Sequence, residues 1–268
     1  MSFRPDRPVS EQIAFAKTHF SLDPAESKIM DGFFDSFDKE RITELQSKYR
    51  SQIATEGIRG QFKYLDVGYW VAQKIKHYPI KLQDSPPLHI LDLGCGACHF
   101  GALARYLGHT STNLDIENTF YDDIADIFGL KRISFRIRPR VPLPRAGGPY
   151  DLVVAFAISF DSLPNVQGKR AYWSNEDWDF LIEDLRLNLL KEESRIVFQL
   201  NQAWSEEEKI FVTQTDLVNR FEGMGAMVER SLSIVDFQLS KRKRSRSRTR
   251  GKSSPFIPQA NDGLDRHN

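Results

Sequence analysis

An acid, a glycine pair and a second acid stand in that order between residues 89 and 115. The run His89-Ile-Leu-Asp-Leu-Gly-Cys-Gly-Ala-Cys-His-Phe-Gly101 reads as a short apolar strand, a tight loop and the start of a helix. Gly94 and Gly96 permit a sharp turn and let a ligand approach the backbone without interference from Cβ atoms. A helix beginning near Phe100 turns its unsatisfied N–H groups toward the same crevice. Asp115 follows Gly96 by 19 residues and ends the next strand. A carboxylate at that edge accepts hydrogen bonds from both hydroxyls of a ribose.

Three ligand classes use such a loop, and the residues discriminate among them. A phosphate-binding P-loop requires Lys followed by Ser or Thr, which are absent. A dinucleotide loop requires a third glycine where His99 stands. Asp92, immediately before the loop, repels a phosphate and attracts a cationic amino group.

Asp92-Leu-Gly94-Cys-Gly96 resembles the first motif of the class I (Rossmann-like) S-adenosylmethionine-dependent methyltransferases, an acid followed by alternating glycines. Cys98 replaces the third glycine. The resemblance implies that Gly94 and Gly96 border the methionine part of S-adenosyl-L-methionine and that Asp92 anchors its amino end. It makes Asp115 the ribose-binding acid. Asp151–Phe156, DLVVAF, resembles the fourth-strand motif, so that Phe156 lines the cofactor and faces the acceptor. Leu189 to Leu200 resembles the family's leucine, linker and strand. The likeness spans about residues 86–239 and implies methyl transfer to a nucleophilic O or N atom.

Around this motif lie further candidates. His99, just past the loop, is a catalytic base or a helix cap. Tyr64 and Arg59, in the aromatic-rich stretch before residue 85, are candidate lid contacts to the cofactor's carboxylate; the alternative is aromatic packing on the sheet. Asp161 and Ser159, after the fourth strand, are candidates to orient or deprotonate an acceptor, and Asn201 follows the fifth strand. No Asn-Pro-Pro-Tyr-like tetrapeptide follows the fourth strand, against methylation of exocyclic base amines. Cys95 and Cys98 have C-x-x-C spacing, but redox chemistry needs an exposed thiolate. A zinc site lacks a fourth ligand at motif spacing. No metal is expected.

The elements that must position these residues follow from periodicity. Residues 1–20 read as an arm. Asp23 and Pro24 start one or two amphipathic helices to about Ala54, and a second helical stretch covers 61–77. Strands are expected at His89–Leu93, Ser111–Ile116, Ile133–Ile137, Asp151–Phe156, Arg195–Leu200, Met227–Arg230 and Ile234–Leu239. Helices are expected at Phe100–Leu107, at Asn175–Leu190 capped by Ser174, and from Thr213 or Thr215 to about Glu222. The sum is an α/β fold with a doubly wound, mostly parallel seven-stranded sheet and an N-terminal helical addition. The expected division is an arm and helical cap or lid over 1–84, a Rossmann-like catalytic domain over 85–239 and a disordered basic tail over 240–268.

Charge separates body from tail. Residues 241–250 hold seven of the 37 basic residues and no acid, whereas residues 1–240 carry 28 basic and 34 acidic residues. A nucleic-acid enzyme more usually places positive charge on its body, so a small-molecule acceptor is expected. The alternatives are RNA or protein methylation with the tail as the nucleic-acid contact, and a non-catalytic cofactor-binding protein. No run of about 18 apolar residues suggests a membrane span. The start lacks a signal-like apolar region, and two cysteines three apart do not staple a domain. A cytoplasmic setting is therefore expected.

Overall fold

A computed structural model describes residues 3–53, 60–77, 81–158, 160–162, 171–205, 210–212 and 214–239. The basic run at 241–250 and Arg59 lie outside the described residues.

Within that set, four helices precede the first strand: α1 (Val9–His19), α2 (Pro24–Asp35), α3 (Glu40–Arg50) and α4 (Val67–His77). A 3-10 turn over Phe62–Leu65 leads into α4. Helix α2 starts where the sequence indicates. Asp23 Oδ1 accepts from the Glu26 N–H at 2.8 Å, and Glu26 Oε2 accepts from the Asp23 N–H at 2.8 Å. Such a cap contributes about 1 kcal/mol. The arm expected over residues 1–20 is instead largely helical. α1 crosses α4 so closely that a Cβ on Gly68 would lie 2.7 Å from the Gln12 carbonyl carbon. Gln12 is fully buried there and donates to the carbonyls of Arg7 and Leu65, both at 3.1 Å.

The sheet begins with β1 (His89–Leu93), α5 (His99–Tyr106), β2 (Thr110–Asp115), α6 (Thr119–Ile127) and β3 (Arg132–Ser134). Next come β4 (Tyr150–Ile158) and the short strands β5 (Asp161–Ser162) and β6 (Ala171–Tyr172), then α7 (Asn175–Asp184). The described residues continue through β7 (Leu190–Leu200), the pair β8 (Ala203–Ser205) and β9 (Ile210–Val212), α8 (Thr215–Gly223), β10 (Met227–Glu229) and β11 (Ile234–Leu239). The seven-stranded order is β10-β11-β7-β4-β1-β2-β3.

The pairs from β3 across to β7 are parallel, but β11 runs antiparallel to both β7 and β10, so the sheet is mixed. The cause is local. Only Arg230–Ser233 separates β10 from β11, too short a span for a parallel crossover. α7 ends six residues before the expected Leu190, giving way to a wider turn over Leu185–Leu189.

Central strands are covered on both faces, as parallel strands require. Leu91, Val153, Ile196 and Phe198 pack with Trp178, Leu181 and Phe221 on one face. Ile90, Leu152, Val154 and Val197 pack with Phe100 and Ala104 on the other. The N-terminal helices join that second side, where Met30, Phe33 and Val71 share a cluster with Ala102, Leu103 and Ile127. After β3 the chain returns to the far side of β1 to make β4. Ligands of open α/β sheets bind at the carboxyl ends of the two strands flanking such a reversal.

Candidate functional site

The loop joining β1 to α5 turns through left-handed backbone at Gly94 (φ +66°), Gly96 (φ +53°) and Cys98 (φ +60°). At Gly94 the need is also spatial, because a Cβ there would lie 2.5 Å from Ile158 Cδ1 on β4. A Cβ on Gly96 would meet nothing within 4 Å, so that residue borders open space. Cys98 takes the strained conformation in place of a glycine and stands as the cap residue of α5.

Asp115, at the end of β2, is fastened to this loop. Its Oδ2 accepts from the Gly96 N–H at 2.6 Å, and its Oδ1 accepts from the Ile116 N–H at 2.7 Å. Arg132 stands 3.9 Å from it and bonds the Ile116 carbonyl at 2.7 Å and Asp122 at 2.6 Å.

Asp92, Gly94, Gly96, Asp115, Phe156, Tyr64 and His99 all line one cleft of about 890 Å³ at the carboxyl ends of β1 and β4. Asp92 is only 2% exposed. Burial pushes its carboxyl up to about 8, opposed by Lys74 and reinforced by Asp115. Lys74 of α4 is the residue that sequence reasoning missed. Its ammonium lies 5.4 Å from the Trp70 ring centroid and 5.6 Å from that of Phe156. Burial pulls it down to about 8, while Asp92 acts in the opposite sense. The aromatic density around Trp70 marked the right stretch of chain, but no motif singles out one lysine among Lys63, Lys74 and Lys76.

His99 is buried, and its Nε2 lies 3.0 Å from the Tyr64 carbonyl. Burial pulls the imidazole down to about 3, with Lys74 acting in the same sense. The ring is neutral, so the nitrogen facing the carbonyl carries the proton and donates. This bond ties the 3-10 turn before α4 to the first turn of α5. Tyr64 stacks on Trp70 with ring centroids 4.9 Å apart and meets Tyr121 edge-on at 5.3 Å. Burial raises its phenol above the ordinary value, and a hydrogen bond with Tyr121 opposes that.

Phe156 packs edge-on to Phe100 at 4.8 Å. Beyond it β4 bulges, with Ala157 at φ +58°, and Asn201 Nδ2 donates to the Ala157 carbonyl at 2.7 Å. The backbone of Asp161 pairs with Tyr172 in the β5–β6 ribbon. Ser159 lies outside the described residues. A smaller cavity of about 200 Å³ opens beyond Asp115, walled by Ile116, Phe135, Ile137, Ile158, Phe160 and Trp173. Among the described residues no cluster of His, Cys, Asp and Glu is arranged to hold a metal ion, and no helix is long and apolar enough to cross a membrane.

No family model and no curated protein matches the sequence. Among solved structures, the chain is similar to a precorrin-6y C5,15-methyltransferase from Geobacter metallireducens, at 20% identity over 56% of this chain and 69% of that one, with a TM-score of 0.34. A TehB-like SAM-dependent methyltransferase from Corynebacterium glutamicum is 16% identical over 64% of this chain and 94% of its own, with a TM-score of 0.39. An O-methyltransferase family protein from Burkholderia thailandensis is 13% identical over 72% and 63%, with a TM-score of 0.43. The chain's own structure gives a seven-stranded sheet in which the glycine loop after β1 is tied to the acid that ends β2.

Proposed function

We propose that the protein transfers a methyl group from S-adenosylmethionine to a nucleophilic O or N atom of a small or medium-sized acceptor by direct in-line displacement. One observation carries this reading: Asp92, Lys74, the Gly94–Gly96 loop and Asp115 converge on a single cleft. The chemistry of that set fits the group. An acid and a cation side by side suit a zwitterionic amino-acid end, with Asp92 receiving the ammonium and Lys74 the carboxylate. Open space over Gly96 suits the chain of atoms that follows. Asp115 keeps lone pairs free for ribose hydroxyls, since a carboxylate has about four acceptor positions. The aliphatic and aromatic slot formed by Ile116, Phe135 and Ile158 suits a base.

When bound, the cofactor supplies an electrophilic methyl carbon on a sulfonium. The chain's own task is then placement. Phe156 offers an apolar face, and Gln199 and Asn201 line the cleft with polar side chains on the side where an acceptor enters. Holding donor and nucleophile in line makes the encounter effectively unimolecular. The neutral, tethered His99 is better suited to fixing the wall than to taking a proton. In the same reading α1–α4 form the cover, residues 85–239 the catalytic body, no membrane takes part, and the basic tail 241–250 is the segment through which a nucleic acid would be held in the alternative.

Calorimetric titration with S-adenosylmethionine and with its demethylated product is the first test, and failure to bind either overturns the proposal. Incubation with methyl-labelled cofactor and fractionated extract is the second. Label is expected in small metabolites; label confined to RNA or protein would move the acceptor to those classes.

A further inference from the structure

Cys95 and Cys98 are the only cysteines of the chain, and nothing in the proposed grip on the cofactor uses their sulfurs. Their Sγ atoms lie 3.6 Å apart. The Cys98 N–H donates to the Cys95 carbonyl at 2.9 Å, closing a four-residue turn. Such a turn keeps its end Cα atoms within about 7 Å, and a disulfide spans about 4.4–6.8 Å between Cα atoms. Cys95 is half-buried and borders the cleft, whereas Cys98 is fully buried behind it. An attacking thiol that reagents reach and a resolving thiol that they do not are thereby separated.

The surroundings add a second observation. The Arg132 side chain is 2% exposed, its guanidinium interacts electrostatically with Cys95, and its Nε has no partner among the described residues. A thiolate formed at Cys95 therefore has a cation beside it. In the resting cleft, burial, Cys98 and the acids Asp92 and Asp115 push the Cys95 thiol up, so Cys95 rests as a thiol.

We propose that Cys95 and Cys98 form a reversible intramolecular disulfide that weakens cofactor binding, making the cleft a redox-gated site. The oxidant is a low-molecular-weight disulfide. The Cys95 thiolate attacks one sulfur of that disulfide and expels the other as a thiolate. Cys98, deprotonated in turn, attacks the Cys95 sulfur of the mixed disulfide and expels the second. Two S–H bonds are lost and one S–S bond forms, the oxidant's S–S bond is reduced to two thiols, and both protons pass to the leaving thiolates.

The consequence for binding follows from the loop. Closing 3.6 Å to about 2.0 Å draws Cys95 toward Cys98 across Gly96. The Gly96 N–H that holds Asp115 rides on that segment. Oxidation thus displaces both the glycine border of the cleft and the acid assigned to the ribose. This step rests on the cofactor reading above. Linkage makes the effect reciprocal: bound cofactor favours the dithiol by the same factor.

The test equilibrates the full chain in mixtures of reduced and oxidised glutathione, with and without S-adenosylmethionine. Intact mass and thiol count read the disulfide, and calorimetry reads cofactor affinity of each form. The expected result is a monomeric species lacking two hydrogens, reversed by excess thiol, with affinity at least tenfold weaker. Saturating cofactor should raise the midpoint by about 30 mV, the equivalent of tenfold for a two-electron couple. Cys98→Ala should stop at the glutathione adduct of Cys95 and never lose two hydrogens. Cys95→Ala should show no oxidant-dependent change in affinity, whatever its starting value, and the unsubstituted chain carries the test if those variants do not fold. Glutathione adducts or intermolecular disulfides alone would overturn the proposal, as would a disulfide form that binds equally well. Neither result touches methyl transfer. A reduced chain that binds no cofactor overturns the methyl-transfer reading and the gating together, while mass still reports the disulfide.

Discussion

The Gly96 N–H donates to Asp115 Oδ2 at 2.6 Å, so the acid assigned to the ribose also fastens the glycine loop. Removing that carboxylate deletes hydrogen bonds to a charged acceptor in a half-buried place. Asp115→Ala is expected to weaken cofactor binding by about 1–3 kcal/mol. Asp115→Asn retains one acceptor oxygen and should lie between. Calorimetry reads both, and an unchanged affinity in the alanine variant would put the ribose elsewhere.

Gly94 and Gly96 both have positive φ, yet their neighbours differ. Alanine at either position carries left-handed strain of roughly 1–2 kcal/mol. At Gly94 it also drives a methyl group into Ile158 Cδ1, which sits 2.5 Å from the ideal Cβ. Gly94→Ala should therefore be the more destabilising in denaturant unfolding. Adding Ile158→Ala should recover the clash but leave the strain, a coupling that Gly96→Ala should not show. Equal costs at both glycines would mean that β4 yields freely.

His99 is held neutral, pulled down to about 3 by burial, and its Nε2–H is engaged by Tyr64. The pH profile of turnover should then have no limb near the ordinary histidine value of about 6.5. His99→Ala should loosen the tie between the turn at Phe62–Leu65 and α5, raising KM for the cofactor more than it lowers kcat. A large fall in kcat with loss of a limb between pH 5 and 8 would restore a base role to His99.

The basic run at 241–250 holds seven basic residues and no acid. Removal of residues 240–268 should leave cofactor affinity and turnover of small acceptors unchanged. Any retention on RNA should vanish with the tail, and in the full chain should fall steeply with salt. Loss of turnover on truncation would favour the macromolecular acceptor.

Legibility followed how local each signal is. The β1 loop, Asp115 and the Asp23 and Ser174 caps were readable because glycine conformation and capping depend on neighbours in sequence. Ser174 and Asp177 do form the reciprocal cap of α7. α1 escaped because its inward side includes the polar Gln12, satisfied only by carbonyls that folding brings to it. α6 went unread although Phe120, Ile124 and Ile127 lie on one buried face and Asn118 caps it through the Tyr121 N–H. Lys74 was invisible for a different reason. Its position beside Asp92 arises from packing α4 across the sheet, and nothing in its own neighbourhood of sequence announces a ligand.

Lys74 and Asp92 make cofactor binding pH-dependent in a predictable sense. Asp92 is raised to about 8 by burial, so below that value it is protonated in the empty cleft. Holding an ammonium needs the carboxylate, and binding at pH 7 should release a proton. Affinity should rise from pH 6 toward 8. Lys74 is lowered to about 8, so above that value the partner of the cofactor's carboxylate loses its charge and affinity should fall. Calorimetry in two buffers of different ionisation enthalpy counts the protons. Asp92→Asn should abolish the release at pH 7. Lys74→Met removes the charge that opposes the rise in Asp92, so the rising limb should move to higher pH while overall affinity drops. A flat pH profile with no buffer dependence would mean that the cofactor's amino-acid end rests on other groups.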